Sequence, residues 1–357
     1  MIVIMKNAKL MISALAASAL ILSACSSSHS EAEHTHEFTV ENAKPIENRE
    51  ASQPLNIKTS IYPLQYLVEK IAGDKAMVES LTGPGIDAHS LELSPKTVAE
   101  LTQADAIIFL DGFQGAVDDA VEQSENPRIL DISHIAELAD TGAHHHHHDH
   151  EGHDHDHADE HKHEESEAGH DHEGHDHEGH DHEHGNLDPH FWLDANRMAN
   201  AAHEVGHFLS KIDPQNAAEY EANAEALKAE LNALGEEMKL GLAKCEINTF
   251  VVSHEAFGYL AKQTGLKQVG VSGLDPEATP SPARIEEISH VVKDLGVKTL
   301  YVEVNVSPKV LEAAAKDLGI TVDVLDPIAT QNDPALDYQQ MMRKNLQTLQ
   351  KGQNCQM

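Results

Sequence analysis

The chain has 357 residues, 40% of them apolar and 24% charged, enough to bury a core and to suggest about two domains. Its formal charge of −35 excludes nucleic acid and acidic membrane surfaces as natural partners and favours cations. Three cysteines are too few for a disulfide-dense scaffold, whereas 28 histidines lie far above ordinary usage.

The N-terminus reads as an address. Lys6 and Lys9 precede an apolar stretch running to Ala24, the form of a secretory signal over 1–24. Its end, Leu22-Ser23-Ala24-Cys25, resembles the lipobox of a bacterial lipoprotein, which implies cleavage before Cys25 and a lipid on that thiol. Residues 25–53 then read as a flexible polar tether holding an extracytoplasmic body near a membrane. Past the leader, no apolar run approaches the ~20 residues needed to span a bilayer. Export sets an oxidising compartment, in which Cys245 and Cys355 are either bridged or two separate thiols.

Over 54–212, short apolar or β-branched runs alternate with helical stretches. Strands are expected at 56–61, 77–81, 106–110 and 129–132, with helices at 64–71, 95–103 and 115–122. The unbroken apolar run Ala106-Ile107-Ile108-Phe109-Leu110 suits a parallel strand covered on both faces. A linker helix about 45 Å long is expected over 213–244, with Asp213 as N-cap and Pro214 at the first helical position. Tyr220, Ala224, Leu227, Leu231, Leu234 and Met238 line one of its faces. That seam is too short to favour a coiled-coil dimer, so a monomer is expected. The alternation returns over 245–357, with strands at 249–253, 267–271, 298–304 and 321–325 and helices near 255–264, 281–294, 307–318 and 334–351. The expected class is α/β: two doubly wound (β/α)4-type lobes joined by one long helix.

Late in the first lobe, 144–186 leaves globular composition altogether. About 18 of the 28 histidines stand here beside about 15 acids, with no apolar side chain larger than alanine. Such a segment cannot offset the entropy of ordering itself and reads as a disordered inserted loop. Imidazoles interleaved with carboxylates gather divalent cations, so His144, His145, His146, His147, His148, His150, His153, His155 and His157 open a low-affinity metal collector.

Three other histidines fall where strands of a parallel sheet give way to loops, the edge at which such folds bind ligands. His89 lies in Ala88-His89-Ser90-Leu91-Glu92-Leu93-Ser94-Pro95, His190 in Asp188-Pro189-His190-Phe191-Trp192-Leu193-Asp194, and His254 in His254-Glu255-Ala256-Phe257-Gly258-Tyr259-Leu260. Asp326 follows the last strand in Leu325-Asp326-Pro327. His134, His203, His207 and His290 read as ordinary structural or exposed residues. Three imidazoles and one hard oxygen suit tetrahedral Zn²⁺.

In this order, on either side of a long helix, the segments resemble the metal-site motifs of cluster A-I substrate-binding proteins of ABC transporters, in particular the ZnuA-type zinc binders. The resemblance implies a cleft between the lobes in which His89, His190 and His254 bind Zn²⁺, with Asp326 or a water completing the shell. Some members carry a glutamate just before the first histidine; here that position is Ala88, which shifts weight to Asp326 or water. Glu303 is an outer candidate. The implied function is a zinc receptor, not an enzyme, that hands its ion to an ABC permease. A manganese receptor of the same fold would replace one histidine with a carboxylate, so His190 argues for zinc. A surface metal store or adhesin lipoprotein, with the tract as main actor, is the other alternative. A zinc hydrolase would need a base and pocket, and no His-Glu-x-x-His motif or nucleophile elbow is present. Ordinary imidazoles would make affinity fall as pH drops through about 6.5.

Overall fold

A computed structural model describes residues 38–47, 53–140, 187–278, 280–304 and 309–356. The expected signal, Cys25 and the histidine-rich loop lie outside the described residues.

The first lobe runs β1 (Leu55–Thr59), α1 (Tyr62–Ala72), β2 (Ala76–Ser80), α2 (Pro95–Gln103), β3 (Ala106–Phe109), α3 (Gly115–Ser124) and β4 (Ile129–Asp131). Its strands form one parallel sheet in the order β2-β1-β3-β4. All of β3 is buried, as its apolar run requires. Ser94 starts α2 by accepting from the Thr97 N–H, and Pro95 occupies the first turn. Two short strands not expected from the sequence, β5 (Ala139–Asp140) and β6 (Leu187–Asp188), pair antiparallel with Ala139 opposite Asp188. They hold the two ends of the expected histidine loop side by side.

Two helices follow, α4 (Ala195–Ile212) and α5 (Ala217–Leu242). The second lobe then runs β7 (Thr249–Val252), α6 (Gly258–Thr264), β8 (Lys267–Gly270), α7 (Pro282–Leu295), β9 (Thr299–Val302), α8 (Lys309–Leu318), β10 (Thr321–Val324) and α9 (Tyr338–Gly352). Its sheet is parallel too, in the order β10-β9-β7-β8. Cys245 and Cys355 are disulfide-bonded, pinning the end of the chain to the entry into β7.

Two expectations need correction. The linker helix starts at Ala217 and not at Pro214: the Asp213 carboxylate accepts from the Asn216 amide and the Tyr220 hydroxyl, which fold 213–216 into a turn ahead of the helix. Pro214 therefore sits in the turn between α4 and α5. The tether is not free throughout: Val40 and Ala43 are buried, Phe38 packs edge-on against Phe109, and Ile46 N–H donates to Ile212 O.

Gly206 on α4 meets Ala224 on α5 so closely that a Cβ there would stand 2.3 Å from the Ala224 Cβ. Gly235 meets Asn196 in the same way, so the helices run antiparallel. One continuous apolar core extends from Leu55 and Ile57 in β1 through Leu231 and Leu234 in α5 to Phe250, Tyr301 and Leu349. The outer faces of the two sheets carry smaller separate clusters. Lobes sharing a core in this way resist wide hinge opening.

Candidate metal centre

The parallel strands deliver the key residues to one place. His89 lies in the loop after β2, His190 just past β6, and His254 directly after β7. Their ligand nitrogens all lie within 4.8 Å of one another, the single such cluster of His, Cys, Asp and Glu among the described residues. His190 Nε2 stands 3.2 Å from His89 Nε2 and 3.4 Å from His254 Nε2. A tetrahedral zinc with Zn–N bonds of 2.0–2.1 Å sets its ligand nitrogens about 3.3–3.4 Å apart. The rings are therefore already spaced for such an ion.

Carboxylates behind two of the rings fix which nitrogen faces inward. Asp188 Oδ1 accepts from the His190 backbone N–H at 2.9 Å and lies 2.8 Å from its Nδ1. Glu303 Oε1 takes the Ser253 hydroxyl at 2.6 Å and contacts His254 Nδ1. Nδ1 thus donates outward, and the Nε2 lone pair is left for the centre. His89 is held differently: its backbone N–H donates to Asp87 Oδ1 at 2.8 Å, and its ring packs edge-on against Phe113, centroids 4.9 Å apart.

Burial works against protonation of two of the rings, His89 and His190. Burial, then the His190 and His254 rings beside it, hold His89 down at about 2. Burial also lowers His190, against the opposing pull of Asp188. Both shifts favour the neutral imidazole, the form that can offer a lone pair to a metal.

Asp326 lines the same pocket, together with Glu303, Val304 and the segment from Gly85 to His89. It stands outside the group whose ligand atoms lie within 4.8 Å. Its backbone N–H and C=O are both clamped by Asn345 on α9, at 3.0 and 2.7 Å, and its Oδ1 accepts from the Ile328 N–H at 2.8 Å. Ile328 is held at φ 58, a costly conformation for a β-branched residue. Burial pushes the Asp326 carboxyl above its ordinary value. Among the described residues the other histidines lie outside this cluster: His203 pairs with Glu225 on the surface and His134 with Asp131. Asp188 was missed as a functional residue from sequence. The signal was present, a carboxylate two positions before the histidine, but its use depends on the local turn.

Trp192, the only tryptophan, ties the site across the lobes: its Nε1–H donates to Pro327 O at 2.7 Å, and its own C=O accepts from the Tyr338 hydroxyl at 2.5 Å. Its ring lies 5.2 Å from that of His190.

Two parallel-sheet lobes with an imidazole cluster between them define a two-lobed solute-binding protein with a candidate metal site. Residues 57–352 match the ZnuA family, described as zinc-uptake complex component A, periplasmic, and the chain belongs to that family. It is 32% identical over 313 residues to the zinc-binding lipoprotein AdcA of Streptococcus pneumoniae, covering 84% of this chain and 56% of that protein. The chain thus spans little more than half the length of that relative. It is 30% identical over 299 residues to the high-affinity zinc uptake system protein ZnuA of Bacillus subtilis, covering 83% of this chain and 86% of that protein. The solved Zn(II)-bound ZnuA-like domain of S. pneumoniae AdcA superposes with a TM-score of 0.64 at 27% identity, covering 84% of this chain and 99% of that domain.

Proposed function

We propose that this protein is an extracytoplasmic zinc receptor that captures Zn²⁺ between its lobes and delivers it to an ABC-type importer. His89, His190 and His254 supply three imidazole nitrogens, and Asp326, or a water that it holds, completes the shell from across the pocket. The observation that carries the reading is the Nε2 spacing of 3.2 and 3.4 Å, matched to tetrahedral zinc before any ion arrives. Three imidazoles give a borderline-soft set that favours zinc over manganese, which prefers oxygen. Three oriented nitrogens need little rearrangement to bind, so little ordering free energy is lost on capture.

Release starts at His89 in this reading. His190 and His254 are braced by Asp188 and Glu303, whereas the His89 ring has no carboxylate partner among the described residues. Because the lobes share a core, the permease acts on the loops at the cleft and not on a wide hinge. The lipid on Cys25, the metal-collecting tract and the monomeric state belong to the same proposal.

Chelator-competition titration of Zn²⁺ and Mn²⁺ tests it, on protein lacking 144–184 and on the same protein with His190→Ala. One tight zinc equivalent, lost on the substitution, is the expected result. Unchanged zinc affinity after His190→Ala, or loss of all tight binding with the tract, contradicts it.

A further inference from the structure

The motif that supplies His254 contains two further residues, Gly258 and Tyr259, that touch none of the three imidazole nitrogens. Both face Asp188, the residue that braces His190. A Cβ built on Gly258 would stand 3.0 Å from Asp188 Oδ2, so a side chain there would push that carboxylate by a few tenths of an ångström. The Tyr259 hydroxyl donates to Asp188 O at 2.8 Å and accepts from the Ala139 N–H at 2.7 Å. It therefore bridges the paired residues Ala139 and Asp188, one on each strand. The ring is itself fixed, with the Arg197 guanidinium 4.7 Å from its centroid. Arg197 also donates to the Ala136 and Glu137 carbonyls just before β5.

We propose that Gly258 and Tyr259 are positioning residues for zinc binding: they hold Asp188 from the second lobe, and Asp188 in turn holds His190. This rests on the zinc-receptor reading above. One short helix then controls two imidazoles at once, His254 through its own approach and His190 through Asp188. A small displacement of α6 loosens both together. The same hydroxyl fixes the root of the β5–β6 pair, so the alignment of those strands is coupled to the angle of His190. The chemistry is mechanical and electrostatic, since a carboxylate shifted by a few tenths of an ångström no longer accepts from both the His190 N–H and Nδ1.

The test uses the full chain and reads Trp192 fluorescence, because the indole lies beside His190. Zinc affinity by chelator competition and zinc dissociation by stopped flow are measured for wild type, Asp188→Asn, Gly258→Ala, Tyr259→Phe, His190→Ala and the double variant Gly258→Ala/Asp188→Asn. Asp188→Asn should weaken binding about 10–100-fold, the usual cost of losing such an outer partner. Gly258→Ala and Tyr259→Phe should each weaken it about 3–30-fold, mainly through faster dissociation, in protein that remains folded by thermal unfolding. The double variant should be no weaker than Asp188→Asn alone, because the glycine acts through the aspartate. Wild-type affinity in both Gly258→Ala and Tyr259→Phe, or losses that add in the double variant, overturns the proposal. If Gly258→Ala fails to fold, the Tyr259→Phe result decides. His190→Ala keeps the two readings apart: if it binds zinc like wild type, the receptor reading itself fails.

Discussion

His190 is the most completely specified of the three rings, fixed at Nδ1 and at its backbone N–H by the same aspartate and flanked by Phe113 and Trp192. Its removal should cost more than about 100-fold in zinc affinity, beyond the effect of losing an outer partner. The pH dependence separates the groups. The unfolded chain's imidazoles protonate near 6.5, whereas folded His89 sits at about 2, so below pH 6.5 the unfolded state binds more protons. Stability of the zinc-free protein should therefore fall as pH drops from 7.5 to 5.5, measured by urea unfolding, with a shallower fall in His89→Ala. Zinc affinity should also weaken where Asp326 takes up a proton, a point that burial moves above the ordinary carboxylate value. Asp326→Asn should remove that part of the dependence, and an unchanged pH profile in the variant would contradict the assignment. Asp118 carries the opposite sign, since burial and then the Asp111 charge raise its carboxyl to about 8. The folded state keeps that proton across a window in which the unfolded chain has lost it, so stability falls as pH rises toward 8. Asp118→Asn should stabilise the protein more at pH 8 than at pH 5.

At the scale of elements, the helix pair α4–α5 and the disulfide are the features with the clearest consequences. An alanine at Gly206 would place its Cβ 2.3 Å from that of Ala224, forcing the helices apart at a cost of about 1–3 kcal/mol, readable by thermal unfolding. The bond between Cys245 and Cys355 closes a loop of 110 residues, and its loss should cost up to about 4.7 kcal/mol by the chain-entropy estimate. Both parallel sheets were legible in the sequence because their strands are short apolar runs between helices, as in β3 and β7. So were the three histidines, since the end of a parallel strand is where such folds put ligands. The pairing of Ala139 with Asp188 was not legible, because strands of two residues carry no periodicity. Nor was the break between α4 and α5: Asp213 followed by Pro214 has the pattern of a helix start, whereas in the fold its carboxylate takes the Asn216 amide and the Tyr220 hydroxyl.

At the scale of the molecule, the shared core and the bonds from Trp192 and Tyr338 across the lobes make the body between Leu55 and Cys355 one cooperative unit around a preformed site. Zinc bound only by the folded state at 100 times its Kd should add about 2.7 kcal/mol of stability. The central claim is that nitrogens from both lobes converge on one zinc ion. Anomalous diffraction at the zinc edge, from crystals of protein loaded with one equivalent, tests it most directly. The account predicts one strong peak about 2.0–2.1 Å from Nε2 of His89, His190 and His254. A bound zinc that leaves any of those three nitrogens out of its shell would contradict it.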